Sequence, residues 1–290
     1  MKEAAVPDGG EAPRRVSRVQ LGLLLRQWRD QAGLSSKAAA EALEWRQPKM
    51  SKLEKGTVRI QAAELDRLIE LYAVDPAPAE RMRALGREAR KRGVASRVPD
   101  WAQTYVELEQ GADEIKFYDG ELIPGLLQTE RYAREILSMS LITPPEQAFE
   151  AAADRSRRQE RLAGGNPPKV WVVLGEAILY RMVGDRSVLR EELEFLFDLA
   201  GRRHVTFQIL PFSAGAHAAL GTSFQVLDFL DPPVTFAYLE GLTDADYLDG
   251  PPETDLYTLA FSKAVAAAAD ENESRRMLDR RIKELRVHAE

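Results

Sequence analysis

Cysteine is missing from all 290 residues. That excludes disulfides, cysteine-ligated zinc and thiol catalysis, and it fits a reducing compartment. Histidine is scarce: His204, His217 and His288 are the whole set. No HExxH, Walker A, GxGxxG or GxSxG pattern occurs, so metal hydrolysis, nucleotide binding and serine hydrolysis find none of their usual motifs. Adjacent carboxylates such as Glu191 and Glu192 read as helix-surface charge rather than an acid/base pair. Long apolar runs are lacking too; none reaches the roughly 18–20 residues a membrane helix needs. The first segment, MKEAAVPDGGEAPRR, has no apolar signal-peptide core and reads as a disordered lead-in over 1–15. These absences lead us to expect a cytoplasmic protein without cofactor, metal or membrane attachment, and not an enzyme.

What is present is 44% hydrophobic and 30% charged, which suits about two globular domains. The net charge of −6 conceals an asymmetry. From Arg14 to Arg97 there are 19 Lys/Arg against 10 Asp/Glu, a surplus of nine, so the rest of the chain carries −15. A basic first third on an acidic body directs attention to a nucleic-acid surface in that third.

Residues 17–92 read as nearly continuous helix broken by short turns. Leu21, Leu24, Leu25 and Trp28 form one apolar stripe. Gly33 can end that helix with φ > 0, and Ser35 can cap the next, where Ala38, Ala39, Ala40 and Ala42 allow close packing before Leu43. A short third helix is expected from about Arg46 to Lys55, closed by Gly56. A fourth carries Leu65, Leu68, Ile69 and Tyr72 and ends at Asp75-Pro76. The third could fit a DNA major groove, with Met50 and Leu53 as its apolar back and Arg46, Gln47, Lys49, Ser51, Lys52 and Lys55 available to the front and flanks. Base edges usually meet the first residues of such a helix, which favours Arg46 for guanine and Gln47 for adenine. Lys49 and Lys52 could reach bases or phosphates, while Lys55 and Arg59 suit phosphates.

The stretch from Ser17 to Ile60 resembles the helix-turn-helix of the lambda-repressor-like, or XRE-type, family, the resemblance covering residues 18–73. Its most diagnostic part is Met50-Ser51-Lys52-Leu53-Glu54-Lys55-Gly56, in frame with Leu21, Leu25, Gly33, Leu34, Ala40 and Leu43. The resemblance implies that Glu54 is structural, and a carboxylate facing DNA would be repelled. We therefore expect an internal ion pair with an arginine such as Arg26 or Arg29. Three positions depart from the pattern. Ser36 stands where a phosphate-touching Gln is common, so the clamp is weakened or passes to Lys37. Glu44 replaces a turn glycine, suggesting a slightly different turn. Pro48 enters the first turn of the recognition helix, where proline is tolerated.

After about residue 95 the composition becomes aromatic and apolar. Strands are predicted at Ile115–Tyr118, Val170–Leu174, Val205–Leu210, Ser223–Phe229 and Val234–Leu239. Helices are predicted after a Thr129 cap, after a Thr143 cap with Pro144 and Glu146, through Leu189, Leu193, Leu196 and Phe197, and over about Glu273–Val287. His217 sits in a small-residue loop that could contact a ligand. FYDGELIPGLLQTERYARE, RRQERL, VTFQILPFSAGAHAALGTSFQVLDF and YLEG are similar to the C-terminal domain of actinobacterial XRE-type regulators, including those called WhiJ-like and AbaA-like. That likeness implies regulation of development or secondary metabolism, often beside a small acidic partner protein. Together these readings predict an all-α helix-turn-helix domain at 16–95 and an α+β regulatory and dimerisation domain at 96–290. Double-stranded operator DNA is the expected partner, bound by a homodimer at the nucleoid. The rival expectation is an adaptor or antitoxin-like protein that holds a small acidic partner through the second domain.

Overall fold

The computed structural model describes residues 14–90, 100–231, 233–242 and 244–287. Most of the lead-in and the proposed boundary near 95 lie outside these residues. The helices α1 (Arg14–Gln31), α2 (Ser36–Ala42), α3 (Gln47–Glu54), α4 (Ala62–Leu71) and α5 (Pro76–Arg90) form the body of one compact unit. α1 begins two residues inside the stretch read as lead-in. The core contains Leu21, Leu25, Ala39, Ala40, Leu43, Met50, Leu53, Leu65, Leu68 and Met82. These are the residues spaced three and four apart along each helix, so every helix turns one apolar stripe inward.

After α6 (Asp100–Gly111), a second compact unit is built on a sheet of β1 (Glu114–Asp119), β2 (Lys169–Gly175), β3 (Val205–Leu210), β4 (Phe224–Leu230), β5 (Pro233–Glu240) and β6 (Ala245–Leu248). Among the described residues the strand order is β3-β2-β1-β4-β5-β6. β1 pairs in parallel with β2, and β2 with β3, while β4 runs antiparallel to β1 and β6 to β5. The first parallel connection contains α7 (Glu130–Ser138), α8 (Ala148–Arg158) and α9 (Glu160–Ala163); the second contains α10 (Arg186–Leu199). Crossovers of this length are what parallel pairing requires. Two C-terminal helices, α11 (Glu253–Ala267) and α12 (Glu271–Val287), complete the unit. The fold is therefore a helical N-terminal unit followed by an α+β unit, as the patterning predicts.

Tyr118, Val173, Phe224 and Val226 of the sheet share a core with Phe261 and Ala264 of α11. The edge of β3 is closed by the start of α12: Ile209 N donates to Ser274 Oγ (2.8 Å), and Ala269 N donates to Ile209 O (2.9 Å). Satisfying both groups blocks strand addition at Ile209.

Several local expectations change here. β6 and α11 were not foreseen. Thr143 does not cap α8; Ser140 Oγ instead accepts from the amides of Ile142 and Thr143, and Pro144 leads into a 3₁₀ turn. Proline at 145 lacks the N–H that a regular first turn would present, so the chain enters α8 through that tighter turn. Glu192, read as surface charge, is fully buried.

Candidate nucleic-acid interface

The helix-turn-helix is assembled by short-range signals. Gly33 ends α1 with φ = 68°. Ser35 then caps α2, its Oγ accepting from Ala38 N at 3.0 Å. α2 ends at Leu43, and Trp45 N closes the turn by donating to Ala40 O at 2.8 Å. Between them Glu44 adopts φ = 57°. The turn expected to differ from the glycine-containing pattern thus keeps the left-handed conformation, with a glutamate bearing the strain. α3 follows with Arg46 as N-cap and Pro48 within its first turn.

The back of α3 is held in five ways. Met50 and Leu53 are buried, 0% and 3% exposed. Tyr72 Oη donates to Met50 Sδ at 3.6 Å. α1 crosses close behind at Gly22, where an added Cβ would lie 2.5 Å from Glu54 O and 2.8 Å from Leu53 O. Gly56, with φ = 65°, lets the chain leave α3 against the Val19 backbone, 2.7 Å from where its Cβ would be. Finally, Glu54 is paired from α1: Arg29 Nε donates to Oε1 at 2.6 Å and Nη2 to Oε2 at 3.1 Å. Arg29 also donates to Leu34 O (2.8 Å) and Asp30 Oδ1 (2.6 Å). The hydrogen bond to Glu54 raises the Arg29 pKa beyond its ordinary value, against the opposing pull of burial. Of the two arginines considered for Glu54, the structure selects Arg29; Arg26 lies 4.0 Å from exposed Asp30.

The front is different. Arg46, Gln47, Lys52, Lys55 and Arg59 are exposed, and none has a side-chain hydrogen bond or ion pair among the described residues. Lys52 and Lys55 lie three apart, opposite the Met50–Leu53 back, so they share the outer face of α3. Ser51 is half-buried. Lys49 is turned to the flank, ion-paired with Glu64 of α4 and 4.0 Å from the centroid of the Trp45 ring. Ser36 directs its Oγ into the protein, where it is buried without a partner, while exposed Lys37 stands 3.9 Å from Glu41.

In the second unit, His217 packs edge-on against Tyr118, with ring centroids 5.9 Å apart. Its Nδ1 is buried without a hydrogen-bond partner. Glu192 Oε2 accepts from Thr129 N at 2.7 Å, where it meets the positive end of α7; its Oε1 has no partner. Burial pushes this carboxyl up to about 8, in spite of the Thr129 amide and hydroxyl, and neighbouring Glu191 adds to the rise. A carboxyl buried on one helix by a residue 63 positions away leaves no local signal, so sequence periodicity alone misplaces it. Among the described residues no group of three or more His, Asp or Glu side chains is arranged to hold a metal ion. No described helix is long and apolar enough to cross a membrane.

α2, the tight turn at Glu44 and α3, backed by buried apolar residues and fronted by exposed cations and an amide, form a helix-turn-helix. A helix-turn-helix domain model matches residues 20–82. The chain belongs to the family that carries the domain of unknown function DUF5753, whose model matches residues 102–280. Neither curated proteins nor solved structures gave a match. A DNA-binding regulator is the general class that the helix-turn-helix match supports.

Proposed function

We propose that this chain is a sequence-specific regulator of transcription that inserts α3 into the major groove of double-stranded DNA. The observation that carries the reading is the set of exposed, unpartnered side chains Arg46, Gln47, Lys52, Lys55 and Arg59 around a helix whose back is locked. Arg46 and Gln47, at the start of α3, read base edges, the first matching guanine and the second adenine. Lys52, Lys55 and Arg59 neutralise phosphates and set the register. Lys37 contributes at the phosphate backbone; the buried Ser36 hydroxyl does not support a clamp there. One such helix covers one half-site, so two copies related by a two-fold axis bind half-sites about 34 Å apart. The domains are 16–95 for reading and 96–290 for dimerisation and control, and the protein works in the cytoplasm, at the nucleoid. The likeness of the second domain to WhiJ-like and AbaA-like regulators supports a role in development or secondary metabolism, exercised with a small acidic partner.

The test is selection of binding sites from fragmented source-genome DNA, followed by titration of the recovered operator across a salt series. Arg46→Ala or Gln47→Ala will cost about 1–3 kcal/mol and relax preference at one base position, whereas Lys55→Ala will weaken all sequences alike. Lys52, Lys55 and Arg59 together contribute roughly −2.7 per copy to the slope of log K against log salt. A full chain with no salt-sensitive binding to any recovered fragment would end this reading.

A further inference from the structure

We propose that Lys49 is a positioning residue: with Glu64 and Trp45 it forms a clasp that fixes the start of the recognition helix, and it does not itself touch DNA. The proposal rests on the reading above that α3 enters the groove. Lys49 differs from the other lysines of its helix. Lys52 and Lys55 are exposed and unpartnered, whereas the Lys49 side chain is 38% exposed and ion-paired with Glu64, itself 27% exposed.

Glu64 is not free to follow Lys49 outward. It occupies the third position of α4, and its Oε2 accepts from Gln61 N at 3.1 Å in a capping box. Burial alone would raise the Glu64 carboxyl. The Lys49 ammonium and the Gln61 amide outweigh it and hold the group below the usual carboxylate range. Were Lys49 to swing to a phosphate, the Glu64 carboxylate would lose its ion-pair partner beside a polyanion, keeping only the Gln61 amide and the more distant Arg67 charge. The same ammonium lies 4.0 Å from the centroid of the Trp45 ring, a cation–π arrangement. Trp45 is bonded through its N–H to Ala40 O of α2, and it immediately precedes Arg46 and Gln47. The clasp therefore ties α4, α3 and the end of α2 together at the residues proposed to read bases.

The two roles for Lys49 predict opposite signs. Glu64→Gln keeps the capping box, because glutamine serves at that position, but removes the charge that holds Lys49. The experiment uses the full chain, the consensus duplex that the wild type recovers from a random-sequence library, and poly(dI-dC) as the non-specific probe. If Lys49 positions, Glu64→Gln lowers consensus affinity about tenfold, leaves poly(dI-dC) affinity and the salt slope unchanged, and broadens the recovered motif. Lys49→Met, whose stem still covers Trp45, does the same. If Lys49 is a DNA contact, Glu64→Gln frees a cation and strengthens binding to both probes, and Lys49→Met reduces the salt slope by about one. That second pattern, or no change in either variant, overturns the proposal. A wild type that recovers no motif and shows no salt-sensitive binding overturns the underlying reading instead, so the two failures are distinct.

Discussion

Replacing Glu54 with alanine strands a guanidinium behind α3. Removing one partner from a buried ion pair costs about 3–5 kcal/mol in general. Here the magnitude is smaller. Both side chains are 9% exposed, so water screens them little, and two charge-assisted hydrogen bonds are lost. Arg29 nonetheless keeps Leu34 O and Asp30 as partners, and Asp30 is 58% exposed. That residual satisfaction brings the expected cost of Glu54→Ala to about 2–3 kcal/mol. Glu54→Gln, which retains shape and one acceptor, should cost about 1 kcal/mol. Hydrogen exchange of the full chain, read on peptides from α1, α3 and α4, isolates this unit from the second one. A loss of 2–3 kcal/mol appears there as exchange about 30–150-fold faster, with peptides from β1 to β3 unchanged. Arg26→Gln is the control: its pairing with Asp30 is an exposed contact at 4.0 Å and should contribute less than about 0.5 kcal/mol. Exchange accelerated less than about threefold by Glu54→Ala would refute the claim that this pair holds α3 in place.

Three further outcomes follow from local geometry. Gly22→Ala places a Cβ 2.5 Å from Glu54 O; the resulting overpacking should outweigh alanine's helix preference and leave a net loss of about 2 kcal/mol, which a denaturant titration followed on the α1 and α3 peptides would show to be wrong if stability rose. Glu44→Gly relieves a left-handed φ of 57° and should stabilise the unit by about 0.5–1 kcal/mol after the added unfolded-state entropy, so a lower melting temperature would contradict it. Glu192, raised by burial to about 8, is protonated when folded and ionised when unfolded across the window between the ordinary carboxylate range and pH 8. Folding then takes up a proton, so stability of the second unit falls as pH rises through that window; Glu192→Gln should flatten the slope of melting temperature between pH 5 and 8 and melt higher at pH 8, and an unaltered slope would rule out the neutral acid.

The helix-turn-helix was legible because its signals are local. Gly33, Ser35 and Gly56 mark ends and caps within a few residues of what they control, and Met50 with Leu53 marks the buried side of α3 from spacing alone. Five strands were legible for the same reason, as short β-branched runs. The Thr143 cap was a local miss, because Ser140 takes the amides instead; the other misses left no usable local signal. α11 buries Phe261 and Ala264 but leaves Leu256 65% and Leu259 54% exposed, so its apolar residues do not sort to one side and no helical period stands out. Glu192 is buried by a helix start 63 residues earlier. Lys49 looks like Lys52 in the sequence, and only the fold, by bringing Glu64 beside it, separates them.

That separation has an electrostatic consequence for the whole unit. Cations with acidic partners include Arg26 with Asp30, Arg29 with Glu54, Lys37 with Glu41, Lys49 with Glu64, Arg83 with Asp66 and Arg87 with Glu80, and none of them lies on the outer face of α3. Arg46, Lys52, Lys55 and Arg59 are left uncompensated around that helix. A surplus of nine positive charges between Arg14 and Arg97 could have been spread evenly over the surface. Pairing cations at the flanks and back concentrates the potential on the front, which on the proposed reading would steer a polyanion to one orientation before any base is read. On the proposed reading, Glu54, Glu64, Asp66 and Glu80 are thus part of recognition although a carboxylate at the interface would oppose it: each pairs a cation away from the outer face of α3.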